Sequence, residues 1–221
     1  GVLVMFGWVF SIPVLQQIIP GFVAMVFNTA FCFVLFGGAL LLTQYEAGKY
    51  QTPAFFILSL ISTVIGAITL LQFLFHFNTG LDELFVNDYQ KVSESHLFPG
   101  RMAFNAAIDV LILGSGLVLL TVKARFADIL AQVCFHAVTI LSAVALIGYL
   151  YGVSLFDSLF YVSSMATHTA ILFFALSISA SLLNPSVGIA KLFTGKNIGN
   201  QLAKRLFILM IIMVTLFGSL R

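Results

Sequence analysis

Charge is what this sequence has least of. Asp, Glu, Lys and Arg make up 8% of its 221 residues against 61% apolar ones, whereas a soluble domain carries charge at about a quarter of its positions. So few polar side chains cannot cover a water-soluble globule, and the lipid bilayer is the expected solvent and first partner. Room is scarce too. A spanning helix takes roughly 20 apolar residues, so the chain holds about seven spans and no soluble catalytic domain.

Other absences exclude further classes. Cysteine occurs only as Cys32 and Cys134, both inside apolar runs, where they read as small core residues and not as ligands or a disulfide. A net charge of +2 with scattered basic residues lacks the footprint of a nucleic-acid binder. There is no Ser/His/Asp or Cys/His arrangement, no carboxylate pair at catalytic depth and no Cys/His metal spacing, so this segment is not expected to be an enzyme or to hold a metal. The stretch from Asn184 to Arg205 places Gly188, Gly195 and Gly199 among basic residues. It lacks the strand–glycine–helix context of a phosphate-binding loop and reads as an interfacial loop at anionic headgroups. Pro13 and Gln16-Gln17 do not form the small-residue cleavage site of a signal peptide.

What is present is a series of apolar runs at 1–18, 22–43, 53–77, 102–122, 127–151, 161–183 and 205–220, separated by polar or Pro/Gly breaks. The expected fold is all-α: one polytopic transmembrane bundle of about seven helices over 1–221. Lys49, Lys123, Arg125, Lys191, Lys196, Lys204 and Arg205 fall in alternate loops, while Asp82, Glu83, Asp88, Glu94 and Asp157, with Lys91 and Arg101, fall in the others. The positive-inside rule then expects a cytoplasmic amino terminus in a bacterial inner membrane. The chain opens in apolar sequence at Gly1 and closes at Arg221. If a signal is delivered to the cytoplasm, an odd helix count calls for an eighth helix beyond Arg221 in a longer natural chain.

Internal repetition is the most informative positive feature. Met25-Val26-Phe27-Asn28-Thr29-Ala30 matches Met102-Ala103-Phe104-Asn105-Ala106-Ala107, and Met165-Ala166-Thr167-His168-Thr169-Ala170 follows the same plan. Pro20-Gly21 and Pro99-Gly100 precede the first two. Phe73-Leu74-Phe75 leading to Asp82-Glu83-Leu84-Phe85 parallels Tyr149-Leu150-Tyr151 leading to Asp157-Ser158-Leu159-Phe160. The expected unit is a helical hairpin repeated in one orientation, unlike the inverted repeats of many transporters.

Ile12-Pro13, Pro20-Gly21 with Met25 and Asn28-Thr29-Ala30, Gly100-Arg101-Met102 with Asn105, His168-Thr169-Ala170 and Asn184-Pro185 together resemble a known pattern. It is that of the amino-terminal multi-helix membrane region of bacterial PAS-containing sensor histidine kinases and diguanylate cyclases. The resemblance runs from Trp8 to Arg205, and departs from the pattern at Ala106, where Thr is usual, and at Asp109, in a normally apolar stretch. It implies a sensor input module for a two-component or cyclase signalling protein, with the enzyme domain elsewhere in the longer chain.

Asn28, Asn105 and His168 occupy equivalent positions near helix starts, where an unpaired polar group in hydrocarbon is costly. They either line a shared pocket with Thr29 and Thr169, binding a small or lipophilic ligand, or cap helices and bond neighbouring ones. Asp109 lies one turn below Asn105, and an acid at this depth faces the bundle interior or a wet cavity; it is the leading candidate for a proton- or ligand-linked switch, against a carboxyl simply bonded to Asn105 or a backbone carbonyl. His76 and His136 follow Gln72 and Gln132 by one turn, so those glutamines could satisfy them. His76 with His168 is the arrangement that would ligate haem, and a quinone is equally compatible. Small residues at Gly37-Gly38, Gly114-Ser115-Gly116, Gly148 with Gly152, and Ser177, Ser179 and Ser181 favour close helix packing, and a homodimer is one open assembly. A cofactor-binding protein and a transporter or channel subunit are the competing readings.

Overall fold

A computed structural model describes residues 1–17, 23–45, 52–86, 99–150 and 165–184, together with positions 187, 197, 200, 201, 205 and 209. Among these residues the chain is all-α, with seven α-helices and no strand. Of the helix expected at 205–220 only 205 and 209 are described, both helical. Pro20-Gly21, Lys49, Asp88, Lys91, Glu94, the hairpin end from Tyr151 to Phe160, Lys191, Lys196 and Lys204 lie outside the described residues.

The first expected span is not one helix. α1 (Val2–Val9) and α2 (Pro13–Gln16) are separated by a break in which Ser11 takes φ 55 and Ile12 is extended. Pro13 is the physical cause. It has no N–H to donate to a preceding turn and drives Ile12 out of helical geometry, so it starts a new helix at its first position. Eight residues rise about 12 Å, far short of a bilayer core of about 30 Å.

Three helices are long and apolar enough to cross a membrane: α3 (Phe27–Tyr45), α4 (Pro53–Phe75) and α6 (Arg125–Leu150). α5 (Phe104–Leu120) and α7 (Thr167–Ser181) are shorter and equally apolar in character. Thr52 caps α4 by accepting from Phe55 N at 3.3 Å, with Pro53 at its first position. The outward faces settle the solvent. Ile57, Ile61 and Val64 on α4, and Val133, Ile140 and Ile147 on α6, are all exposed and recur at helical spacing, while Ser59, Ser62 and Thr69 of α4 are buried and donate to carbonyls four residues back. Apolar faces outward and bonded hydroxyls inward are the reverse of a soluble bundle and what a membrane demands. The chain is a multi-pass membrane protein.

α3, α5 and α7 meet one another at the centre; α1 packs on α3, α4 on α3 and α5, and α6 on α5 and α7. Two close approaches fix the α4–α5 contact. A Cβ on Gly66 would lie 2.8 Å from Leu111 N, and one on Gly114 would lie 2.4 Å from Thr63 Oγ1. Because 66 faces 111 and 63 faces 114, the two helices are antiparallel. Tyr149, near the end of α6, bonds Met165 before α7, and Gln132, near the start of α6, bonds Ser181 at the end of α7. α5 and α6, joined by only residues 121–124 and packed on one another, form a hairpin, so α5 and α7 run the same way.

The repeated sequence has a repeated environment. Met25, Met102 and Met165 are 1, 1 and 2% exposed, and Ala30, Ala107 and Ala170 are each 0% exposed. Phe33, Val110 and Phe173, one turn further, are also buried, with Phe33 and Phe173 in ring contact at 4.7 Å. Each central helix enters on a buried methionine and packs through the same small residue.

Candidate functional site

The entry end of the bundle is organised by a turn that follows α4. Gly80 takes φ 75, Asn78 Oδ1 accepts from Gly80 N at 2.9 Å, and Thr79 Oγ1 accepts from Leu81 N at 3.3 Å. These local bonds wind residues Leu81–Glu83 into a 3-10 turn that buries Asp82. Asp82 Oδ2 then accepts from Arg101 Nε at 2.9 Å and from Gln72 Nε2 at 3.2 Å. Arg101 also donates to Phe77 O at 3.2 Å and lies 5.5 Å from the Phe73 ring centre, which adds a cation–π contact. Asn28 Nδ2 donates to Leu81 O at 3.0 Å and reaches Asp82 O at 3.4 Å.

One turn therefore clasps three elements: the start of α3 through Asn28, the end of α4 through Gln72 and the entry to α5 through Arg101. Gly100 makes the approach possible, since at φ 71 a Cβ there would sit 2.7 Å from Asp82 O. Burial pushes the Asp82 carboxyl above its ordinary value; the hydrogen bond and charge of Arg101 and the bond from Gln72 oppose this, and Glu83 adds to the rise. In the sequence Asp82 figures in the loop charges and the hairpin repeat, and Arg101 in the loop charges and the resemblance, but neither is expected to pair with the other. The available signal was an acid and a base on one side of a chain that has few of either.

A second device recurs at the helix entries. Trp8 Nε1 donates to Met25 O at 2.8 Å, and the Tyr149 hydroxyl donates to Met165 O. At the middle entry Phe73 lies edge-on to Phe104 with centroids 5.5 Å apart and carries Arg101 on its face. An aromatic from an earlier helix thus sits at each central-helix start.

The residues expected at the site divide into spent and unspent groups. The Asn28 amide is spent on the turn, and Asn105 Oδ1 accepts from Ala106 N at 3.0 Å. Among the described residues no hydrogen bond joins Asn28, Asn105 and His168, although the helices that carry them meet. Thr29 and Thr169 are both buried. His168 is buried, and its Nε2 has no partner; Thr167 Oγ1, next to it, is also buried without one.

Asp109 is 1% exposed, and neither carboxyl oxygen has a partner. It is therefore not bonded to Asn105 or to a backbone carbonyl. Gly116, seven residues along α5 and so on the same side of the helix, abuts Phe135 of α6.

The glutamine–histidine pairs do not form. Gln72 is engaged with Thr79 Oγ1 at 2.9 Å and with Asp82. Gln132 donates to Ser181 O at 2.9 Å and Asn184 O at 3.2 Å, closing carbonyls that the end of α7 leaves open, and His136 Nε2 has no partner. His76 is the exposed left-handed cap of α4, whereas His168 is buried on α7. No group of three or more metal-ligating side chains is found among the described residues.

No protein-family model, curated protein or solved structure matches this chain.

Proposed function

We propose that this chain is the membrane-embedded input module of a bacterial signal-transduction protein. It senses a membrane-soluble or extracytoplasmic signal and passes it on by helix repacking to a kinase or cyclase domain of a longer chain. In this reading the bundle is built of same-orientation hairpins, the amino terminus is cytoplasmic and the entry ends of α3, α5 and α7 face away from the cytoplasm.

The observation that carries the proposal is Asp109, a carboxyl buried in a central helix with both oxygens unpartnered. Leaving such a group unsatisfied costs about 1–3 kcal/mol or more, and an intramembrane acid is a functional residue by default. The cost is retained where the group exchanges partners. Acquisition of a proton or ligand at Asp109 changes the most favourable seating of α5 against α6. The Asp82–Arg101 clasp ties the entry of α5 to α3 and α4, so α5 does not move alone and the shift is shared with α3 and α4, a small-shift mode of switching.

The test is Asp109→Asn in the full-length protein, reading phosphorylation or cyclase output together with thermal unfolding. Altered output in a folded variant supports the switch. Unchanged output in a folded variant removes Asp109 from signalling, and solute flux in sealed vesicles accompanying that result would point to transport instead.

A further inference from the structure

The three central helices begin alike but finish their first turns differently. Asn28 spends its amide on the turn after α4, and Asn105 spends its oxygen on the Ala106 N–H. α7 has no side-chain cap, its N-cap being Ala166. Ala170 N is the first amide to find an intrahelical acceptor, at Ala166 O, so the amides of Thr167, His168 and Thr169 belong to the open set that every helix start leaves.

Two side chains in that same turn are also unspent. His168 is 7% exposed with Nε2 unpartnered, and Thr167 Oγ1 is buried and unpartnered. Side chains in a helix tilt toward its amino terminus, the end at which these amides stand open. With Nε2 protonated, the imidazole, the hydroxyl and the main-chain N–H groups are all donors. All lie in the first turn, at the positive end of a 15-residue helix, so the complement is an anionic oxygen pair.

The neighbouring surface specifies what that anion is attached to. From Thr167 one face of α7 continues through Ile171, Ile178 and Leu182, all exposed. This apolar lane starts where the donors end and runs along the lipid side of the helix.

We infer that the start of α7 is a binding site for a long-chain carboxylate, with its head group on the Thr167 and His168 turn and its acyl chain along Ile171, Ile178 and Leu182. A carboxylate accepts at about four lone-pair positions, a number the amides, hydroxyl and imidazole supply without a basic side chain. The inference names a ligand class for the sensor reading and rests on it for its biological meaning. Binding is measured without any output domain, so failure at this site leaves the Asp109 test standing, and failure of that test leaves binding here intact.

The experiment uses the full chain in nanodiscs of zwitterionic phosphatidylcholine, titrated with a diazirine-bearing oleate analogue and mapped by photolabelling. Saturable labelling within 165–182, competed by oleate and not by methyl oleate, is the expected result. Thr167→Val removes the hydroxyl at constant shape and is expected to weaken binding about tenfold, the loss of one hydrogen bond to a charged group; Thr167→Ser restores it. His168→Gln, which keeps a donor, binds more tightly than His168→Leu. Equal competition by methyl oleate, or unchanged binding in folded Thr167→Val and His168→Leu proteins, overturns the proposal. Displacement of oleate by phosphatidylglycerol at equal mole fraction also overturns it, because the source would then be a phospholipid headgroup and not a free acid.

Discussion

Trp8 and Tyr149, 141 positions apart in sequence, do the same work: the Trp8 indole N–H and the Tyr149 hydroxyl each donate to the main-chain carbonyl of the methionine that opens a central helix, Met25 for one and Met165 for the other. These carbonyls precede a helix start and have no strand or helix partner of their own. An amphipathic aromatic suits the place, because its ring packs in the bundle while its polar atom satisfies the carbonyl. Tyr149→Phe keeps the ring and loses the bond. It is expected to lower stability by about 1 kcal/mol, seen as a lower midpoint of thermal unfolding in detergent, with Trp8→Phe costing more because it also removes buried ring volume.

The Asp82–Arg101 pair should be far more sensitive to losing one member. Their side chains are 2% and 4% exposed, and a buried charge stripped of its partner costs about 3–5 kcal/mol. Arg101→Ala is expected to fall in that range. Arg101→Lys should recover only part of it, since a point charge cannot reproduce the separate bonds from Nε to Asp82 and from Nη2 to Phe77 O. Equal stability of wild type and Arg101→Ala would mean that the clasp contributes nothing to folding.

The raised Asp82 value fixes the sign of a pH effect. Between about pH 4, where an unfolded aspartate titrates, and its elevated folded value, the folded protein holds a proton that the unfolded chain has released. Stability from this group is therefore greatest below the window and declines as pH rises through it. Wild type should lose unfolding midpoint relative to Asp82→Asn across that window. Parallel pH profiles for the two proteins would contradict the assignment.

Two glycines of similar appearance in sequence should respond oppositely to alanine. At Gly66 the added carbon would meet the backbone of Leu111 at 2.8 Å. That clash forces α4 and α5 apart and is expected to cost about 1–3 kcal/mol. At Gly37 nothing lies within 4 Å of the added carbon, so Gly37→Ala should be neutral or stabilising by up to about 1 kcal/mol through reduced chain entropy. Unfolding midpoints of the two variants separate the cases directly.

The sequence alone determined the solvent, the helical class and the repeat. A charge fraction of 8% leaves only the bilayer, lipid admits apolar runs of this kind as helices, and the motifs opening at Met25, Met102 and Met165 mark matching helix starts because local sequence controls where a helix begins. Pro13 also carried the signal for the break before α2, which hydrophobicity alone hides: residues 1–18 are continuously apolar enough to pass for a span. Tertiary structure decided the partnerships. Whether Gln72 serves His76 or Asp82, whether Asn105 serves Asp109 or its own helix, and which residue receives Arg101 depend on contacts between segments far apart in the chain. Helical spacing names the neighbours available within one helix; only the packing of α4 against α5 and of α6 against α7 shows which group each side chain meets, and that Asp109 and His168 meet none.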